Sequence, residues 1–186
     1  MTSPLEPLLY GEQPLEGAGP DAVMQWQEIA HDTSLETRTR LQAWTSLRAA
    51  GVAIPDELAQ RVEGVVVHVP IDDLHDVLAA YADGSVRYLN HNGAASIVEP
   101  PAPAPVAEAA ARLLAAGAEV VPMIGPWEEL LLPELPVGHA RLLMLTPSGP
   151  CFGQGPFDVL MADPKAGGLF DAATALLQAV VSLSPS

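Results

Sequence analysis

Residues 77–90 read VLAAYADGSVRYLN, and the fold turns on them. Two strand-like runs, 77–82 and 85–90, flank Asp83-Gly84. β-Branched and aromatic side chains suit a pleated sheet. Asp-Gly supplies positive φ at both centres of a two-residue hairpin turn, so a β-hairpin is expected here. Further on, Asn92-Gly93 repeats the turn signal, and 94–99 returns as the third strand of a meander. On the N-terminal side, Val65, Val66, Val67 and Val69 read as a buried strand.

Pro100, Pro101, Pro103 and Pro105 end the meander. A helix is expected over 106–116 with Gly117 as its stop, then a short strand over 119–124 and a Pro-rich loop around Trp127. A second hairpin pairs 140–146 with 151–154 around Pro147-Ser148-Gly149, taken with Thr146 opposite Pro150. A helical turn near 157–161 and a final helix over 169–183 complete the chain. Ahead of the sheet, Asp21 can cap a helix to Ala30. Thr33 and Glu36 have capping-box spacing for a second helix carrying Leu41, Trp44 and Leu47, with Gly51 as its left-handed stop. Pro55 opens a short third helix that ends near Gly64.

The reading is an α+β protein: one antiparallel sheet of about five or six strands, meander plus hairpin, with flanking helices. Residues 1–20, rich in Pro and Gly, form a flexible lead-in from which Leu5, Leu8, Leu9 and Tyr10 can dock. Residues 21–63 are a helical segment packing on the body, and 64–186 are the core domain.

The chain has 186 residues, 49% of them hydrophobic, and a net charge of -15. That charge argues against nucleic acid, whose phosphates need Lys and Arg. The acids are spread along both halves, so a less acidic or basic protein partner is the natural counterpart. No apolar run approaches the roughly 18 residues of a membrane span, and no basic, then apolar, leader is evident. One cysteine, Cys151, makes no internal disulfide, so a cytoplasmic setting is expected.

Catalytic chemistry finds little support. Cys151 and His139 fall well apart along the second hairpin, beyond the reach a thiolate and its base require. On a helix, Asp72, His75 and Asp76 would share a face and could hold a divalent cation, but no second His follows at ligand spacing. An acidic, solvated entry to the next element is preferred. Gly149, Gly153 and Gly155 lack the spacing of a dinucleotide or phosphate loop. Arg87 and Tyr88 project to opposite faces of their strand. No catalytic residue, cofactor site or metal site is therefore assigned. Trp127, Pro133 and Pro136 are the candidate partner-binding residues, because a Trp in a Pro-rich loop either plugs a core edge or anchors a partner. Tyr88 and His91 are the candidates for a pocket at the sheet end.

The segments VLAAYADGSVRYLNHNG (77–93), MIGPW (123–127) and LTPSGPCFGQGPFDVLMADPKAGGL (145–169) resemble those of a family of bacterial proteins of uncharacterised activity. That resemblance implies no activity, cofactor or catalytic residue. The order of elements is also similar to that of profilin-like and roadblock-type modules, which implies a dimeric scaffold or regulator rather than a catalyst. The expected function is a cytoplasmic protein-interaction or regulatory module, with self-association through apolar surface as one form of it. The alternative is a small enzyme or small-molecule-binding protein.

Overall fold

A computed structural model describes residues 9–11, 13–127, 129 and 132–183. Its elements are α1 (Gly19–His31), α2 (Thr37–Ala49), α3 (Asp56–Ala59), β1 (Gly64–Ile71), β2 (Leu74–Tyr81), β3 (Val86–Leu89), β4 (Ala95–Val98), α4 (Ala104–Ile124), β5 (His139–Thr146), β6 (Gly149–Pro156), α5 (Phe157–Ala162) and α6 (Pro164–Val181). The strands form one antiparallel sheet in the order β4-β3-β2-β1-β5-β6. The α+β class and the meander-plus-hairpin sheet agree with the sequence reading. The two parts join where β1 pairs with β5, with Val65 opposite Met144 and Val67 opposite Leu142.

Alternation sorts the strand side chains between two cores. Val65, Val67, Leu78, Ala80, Leu142 and Met144 lie under α4 and α6. Val66, Val77, Ala79, Tyr81, Leu143 and Leu145 face the other way, onto Leu9, Tyr10 and Leu41. A third cluster around Trp26, Trp44 and Leu47 joins α1 to α2. A buried carboxylate also ties α2 to the sheet: Glu63, 2% exposed, accepts Arg40 at 2.7 Å and Arg61 at 2.5 Å. The described part of the lead-in is held in place. The Leu9 carbonyl accepts the Tyr81 hydroxyl at 2.8 Å, and Leu15 N–H donates to Ser46 Oγ at 2.8 Å. Leu5 and Leu8 lie outside the described residues.

Several local expectations are corrected. Neither meander turn is a two-residue turn. Tyr81 N–H donates to Ser85 O (3.0 Å) and Gly84 N–H to Tyr81 O (2.9 Å), which closes a three-residue loop with positive φ only at Gly84. Gly93 plays the same part after Asn90. A turn followed by one left-handed glycine needs a single positive φ, and Asp83 is then free to use its side chain. Its Oδ1 accepts Ser85, while its Oδ2 accepts the Thr37 N–H at 2.7 Å. Thr37 Oγ1 in turn accepts the Asp83 N–H at 3.0 Å. The start of α2 is thus capped from the sheet, and the Thr33–Glu36 box does not form; Glu36 is the N-cap and makes no side-chain cap bond.

α4 runs on through Gly117 and Pro122, taking up the strand expected at 119–124. Gly117 is a point of close approach: a Cβ there would sit 2.8 Å from Val65 Cγ2 and 3.1 Å from Met144 Cγ. α6 starts at Pro164, five residues early, because Asp163 Oδ1 accepts the N–H groups of Lys165 and Ala166. The second hairpin is one residue tighter than expected, with Thr146 opposite Gly149.

Two stability measurements check these contacts. Gly117→Ala should lower stability by about 1–3 kcal/mol although alanine is the better helix former; a gain in urea midpoint would contradict the close approach. Asp83 is pulled both ways: burial raises its pKa, but hydrogen bonds from Thr37 and Ser85 outweigh burial and hold it below the usual range. The wild type should therefore exceed Asp83→Asn by about 1 kcal/mol above about pH 4, and the gap should close as pH falls through the lowered folded-state value. Equal urea midpoints at neutral pH would contradict the cap.

Candidate functional site

Two polar clusters interrupt the apolar faces of the sheet. The first joins the pocket candidates Tyr88 and His91 through Asp76. Asp76 lies on β2 and Tyr88 on β3, with their side chains on the α4 side; His91 begins the β3–β4 turn. Tyr88 Oη donates to Asp76 Oδ2 at 2.6 Å, and Asn90 Nδ2 donates to Tyr88 Oη at 2.9 Å. Asp76 Oδ1 accepts the His91 N–H at 2.8 Å and lies 2.7 Å from His91 Nδ1. Burial alone would raise the Asp76 carboxyl, but the hydrogen bonds from Tyr88 and His91 hold it below the usual range. Burial, then the bond to Asp76, push the Tyr88 phenol up. An ionised Asp76 therefore orients the His91 ring, leaving Nε2 without a partner among the described residues. Tyr88 supplies the one hydroxyl of the hydrogen bonds just described, and the grooves between α4 and α6 and beside α1 and α2 are lined by other residues.

The second cluster lies on the opposite face. His68 Nε2 is 3.0 Å from Tyr10 Oη. Burial pushes the His68 pKa down to about 3, with the nearby charges of Arg141 and His75 adding to the effect. Arg141, opposite His68 on β5, donates to Gln154 Oε1 from Nε (3.0 Å) and Nη2 (2.6 Å). Nη2 also donates to the Pro133 carbonyl, and the guanidinium stacks over Phe152, 5.6 Å from its centroid. The Trp127 ring meets Phe152 edge-on at 5.0 Å, and the Trp127 backbone N–H donates to Pro150 O at 2.7 Å. Trp127 is half-buried; Pro133 and Pro136 are exposed on the same loop.

The remaining candidates are separated. Asp72 and Asp73 form the β1–β2 turn, Asp72 with φ of 52°. His75 and Asp76 point to opposite faces of β2, where His75 Nε2 is 3.0 Å from His139 O. The shared helix face that the cation reading of Asp72, His75 and Asp76 needed is absent, because these residues are turn and strand. Among the described residues no three metal-ligating side chains converge. Cys151 is buried opposite Met144 on the α4 side, whereas His139 belongs to the other face of β5. Burial raises the Cys151 thiol despite a lowering bond from Thr146.

Sequence reasoning missed His68 and Arg141. The signal was a His within a valine run and an Arg within a leucine run, both where apolar alternation is otherwise unbroken. Comparison with protein-family models, curated proteins and solved structures finds no match to this chain.

The lowered His68 pKa fixes a sign. The folded state binds a proton less readily than the unfolded chain, so the His68 contribution to stability is complete above about pH 6.5 and declines as pH falls toward the folded value. The His68 ring resonances should hold constant from about pH 8 to pH 4. Titration of that ring with a midpoint near neutrality would contradict the burial.

Proposed function

We propose that this chain is a protein-interaction or regulatory module that binds an extended, basic segment along β4. The outer edge of β4 carries the reading. The Asn90 N–H donates to the Ala94 carbonyl at 2.8 Å, so Asn90 turns its N–H toward the neighbouring strand. In an antiparallel ladder the phase then alternates, so Ser96 and Val98 bond to β3 while Ala95 and Ile97 turn their N–H and C=O groups outward. Ile97 also exposes 62% of its surface. Unpaired edge groups are a template for an added strand.

Charge sets the partner's sign. Beside Ile97, Arg87 engages Glu99 at 2.8 Å and approaches Glu36 at 3.9 Å, while Arg38 holds Glu36 at 3.1 Å. Both carboxylates stay more than half exposed, so the sign is carried by the protein's overall charge. The net charge of -15 steers a cationic chain toward the protein over longer distances. The opposite edge is less suited to strand addition. By the same phase rule, its outward positions include Pro150 and Pro156, which have no N–H, and Trp127 already takes the Pro150 carbonyl.

The Asp76–His91 pair favours the second reading, a small-molecule-binding protein or enzyme, because it orients an imidazole with a free Nε2. The grooves between α4 and α6 and beside α1 and α2 do not take in this pair, and the edge reading is preferred.

A peptide alternating valine and lysine is a suitable probe. It should shift the Ala95 and Ile97 amide resonances, and added salt should weaken it. Ile97→Pro removes one outward N–H and leaves the β3 ladder untouched, so affinity should fall at least about tenfold. Binding that ignores this substitution, or no shift at Ala95 and Ile97, would overturn the proposal.

A further inference from the structure

α4 and α6 pack antiparallel on the far side of the sheet, with Glu119 beside Lys165 at 3.3 Å. Between them runs a groove of about 560 Å³ floored by Ala115, Ala116, Gly168 and Ala172. Arg112, exposed on α4, lines it too. Among the described residues, the other seven bases each have a hydrogen-bonding or ionic partner, and Arg112 has none. It is a free cation in a chain of net charge -15.

The α4 stripe carrying Arg112 is complementary to itself. Arg112 and Glu119 are seven residues apart, about two turns or 10 Å along one face. A second α4 laid antiparallel, with the two-fold axis between Ala115 and Ala116, brings each Arg112 to the Glu119 of the other copy. The alanines at the crossing let the helices approach closely. Met123 extends the same stripe one turn beyond Glu119 and is 57% exposed. The same two-fold sets it over Glu108 on the opposing α4, beside the C-terminal end of the opposing α6, where Leu183 is 45% exposed.

We propose that the outer α4–α6 face is a two-fold homodimer interface in which Arg112 of each copy pairs with Glu119 of the other. The occupant is a second copy because one stripe supplies both charges at the spacing that the two-fold needs. A purely acidic partner would satisfy Arg112 but set like charge against Glu119, which Lys165 of its own copy engages at 3.3 Å and which is still 71% exposed. Long-range repulsion between the two acidic bodies is screened over about 8 Å at physiological salt, so moderate added salt strengthens the dimer. This surface is separate from the β4 edge, and neither proposal depends on the other.

Charge reversal tests the pairing, read by sedimentation equilibrium on the full chain. The wild type should dimerise. Arg112→Glu alone, or Glu119→Arg alone, should weaken self-association at least about tenfold, because each places like charges face to face twice. An equimolar mixture of the two variants should restore the dimer, since all four charges then pair. Both positions are exposed, so both variants should fold, which circular dichroism verifies. A monomeric wild type, variants that dimerise as well as the wild type, or a mixture that stays monomeric would each overturn the interface. Ile97→Pro should leave the dimer unchanged, and failure here leaves the β4 reading standing.

Discussion

Every layer of the molecule meets at β1. Its residues alternate between two cores, with Val65 and Val67 under α4 and Val66 and His68 toward α2 and the lead-in. Both of its edges are also paired, to β2 on one side and to β5 on the other. Each valine buried there is worth roughly 1.5–3 kcal/mol. The β1–β5 ladder is the decisive contact, because it joins a meander and a hairpin that are each local in sequence. Closing that long loop costs chain entropy, which burial on both faces must offset. α4 makes the crossing, and Gly117 lets it descend onto Val65 and Met144, one residue from each partner strand.

A sheet covered on both faces leaves its edges and the outer helix surfaces to meet other molecules. The edges differ in chemistry. β6 carries Pro150 and Pro156 at outward positions, and the loop bearing Trp127 and Pro133 is pinned to it through Phe152 and Arg141. β4 has no such cover among the described residues, and its exposed Ile97 sits beside acidic side chains that Arg87 holds in place. The buried polar groups serve the scaffold. His68 stays neutral, and Glu63 is matched by two arginines, of which Arg40 anchors α2. Removing one partner of such a buried pair would leave a charge stranded in the interior.

The sheet was legible because its signals are local. Glycine turns and β-branched runs announce the meander, and Pro-Ser-Gly announces the hairpin. Gly51 was read correctly as the stop of α2: the Gly51 N–H bonds to Arg48 O and the Val52 N–H to Leu47 O, as a left-handed cap requires. Errors arose where a distant residue overrode a local cue. Thr37 is capped by Asp83, from the sheet, so the nearby Thr33–Glu36 spacing misled. Gly117 looked like a helix stop, but its missing side chain answers the need to approach Val65. For the site, Tyr88 and His91 were legible as a pair, yet Asp76, which unites them, read as part of an acidic, solvated entry to the next element. Only the β1–β2 turn at Asp72 turns Asp76 toward them. The alternation that divides His75 from Asp76 was readable only once that stretch was known to be strand.

The fold depends on one sheet that is cooperative at its centre and open at β4. Amide hydrogen exchange of the dilute full chain tests both at once. The β1 and β5 amides should exchange most slowly and with one common free energy, that of global unfolding. Along β4, Ser96 and Val98 should be protected while Ala95 and Ile97 exchange rapidly. Separate free energies for the meander and the C-terminal hairpin would contradict the central role of the β1–β5 ladder. Protection at Ala95 and Ile97 equal to that of Ser96 and Val98 would contradict the open edge.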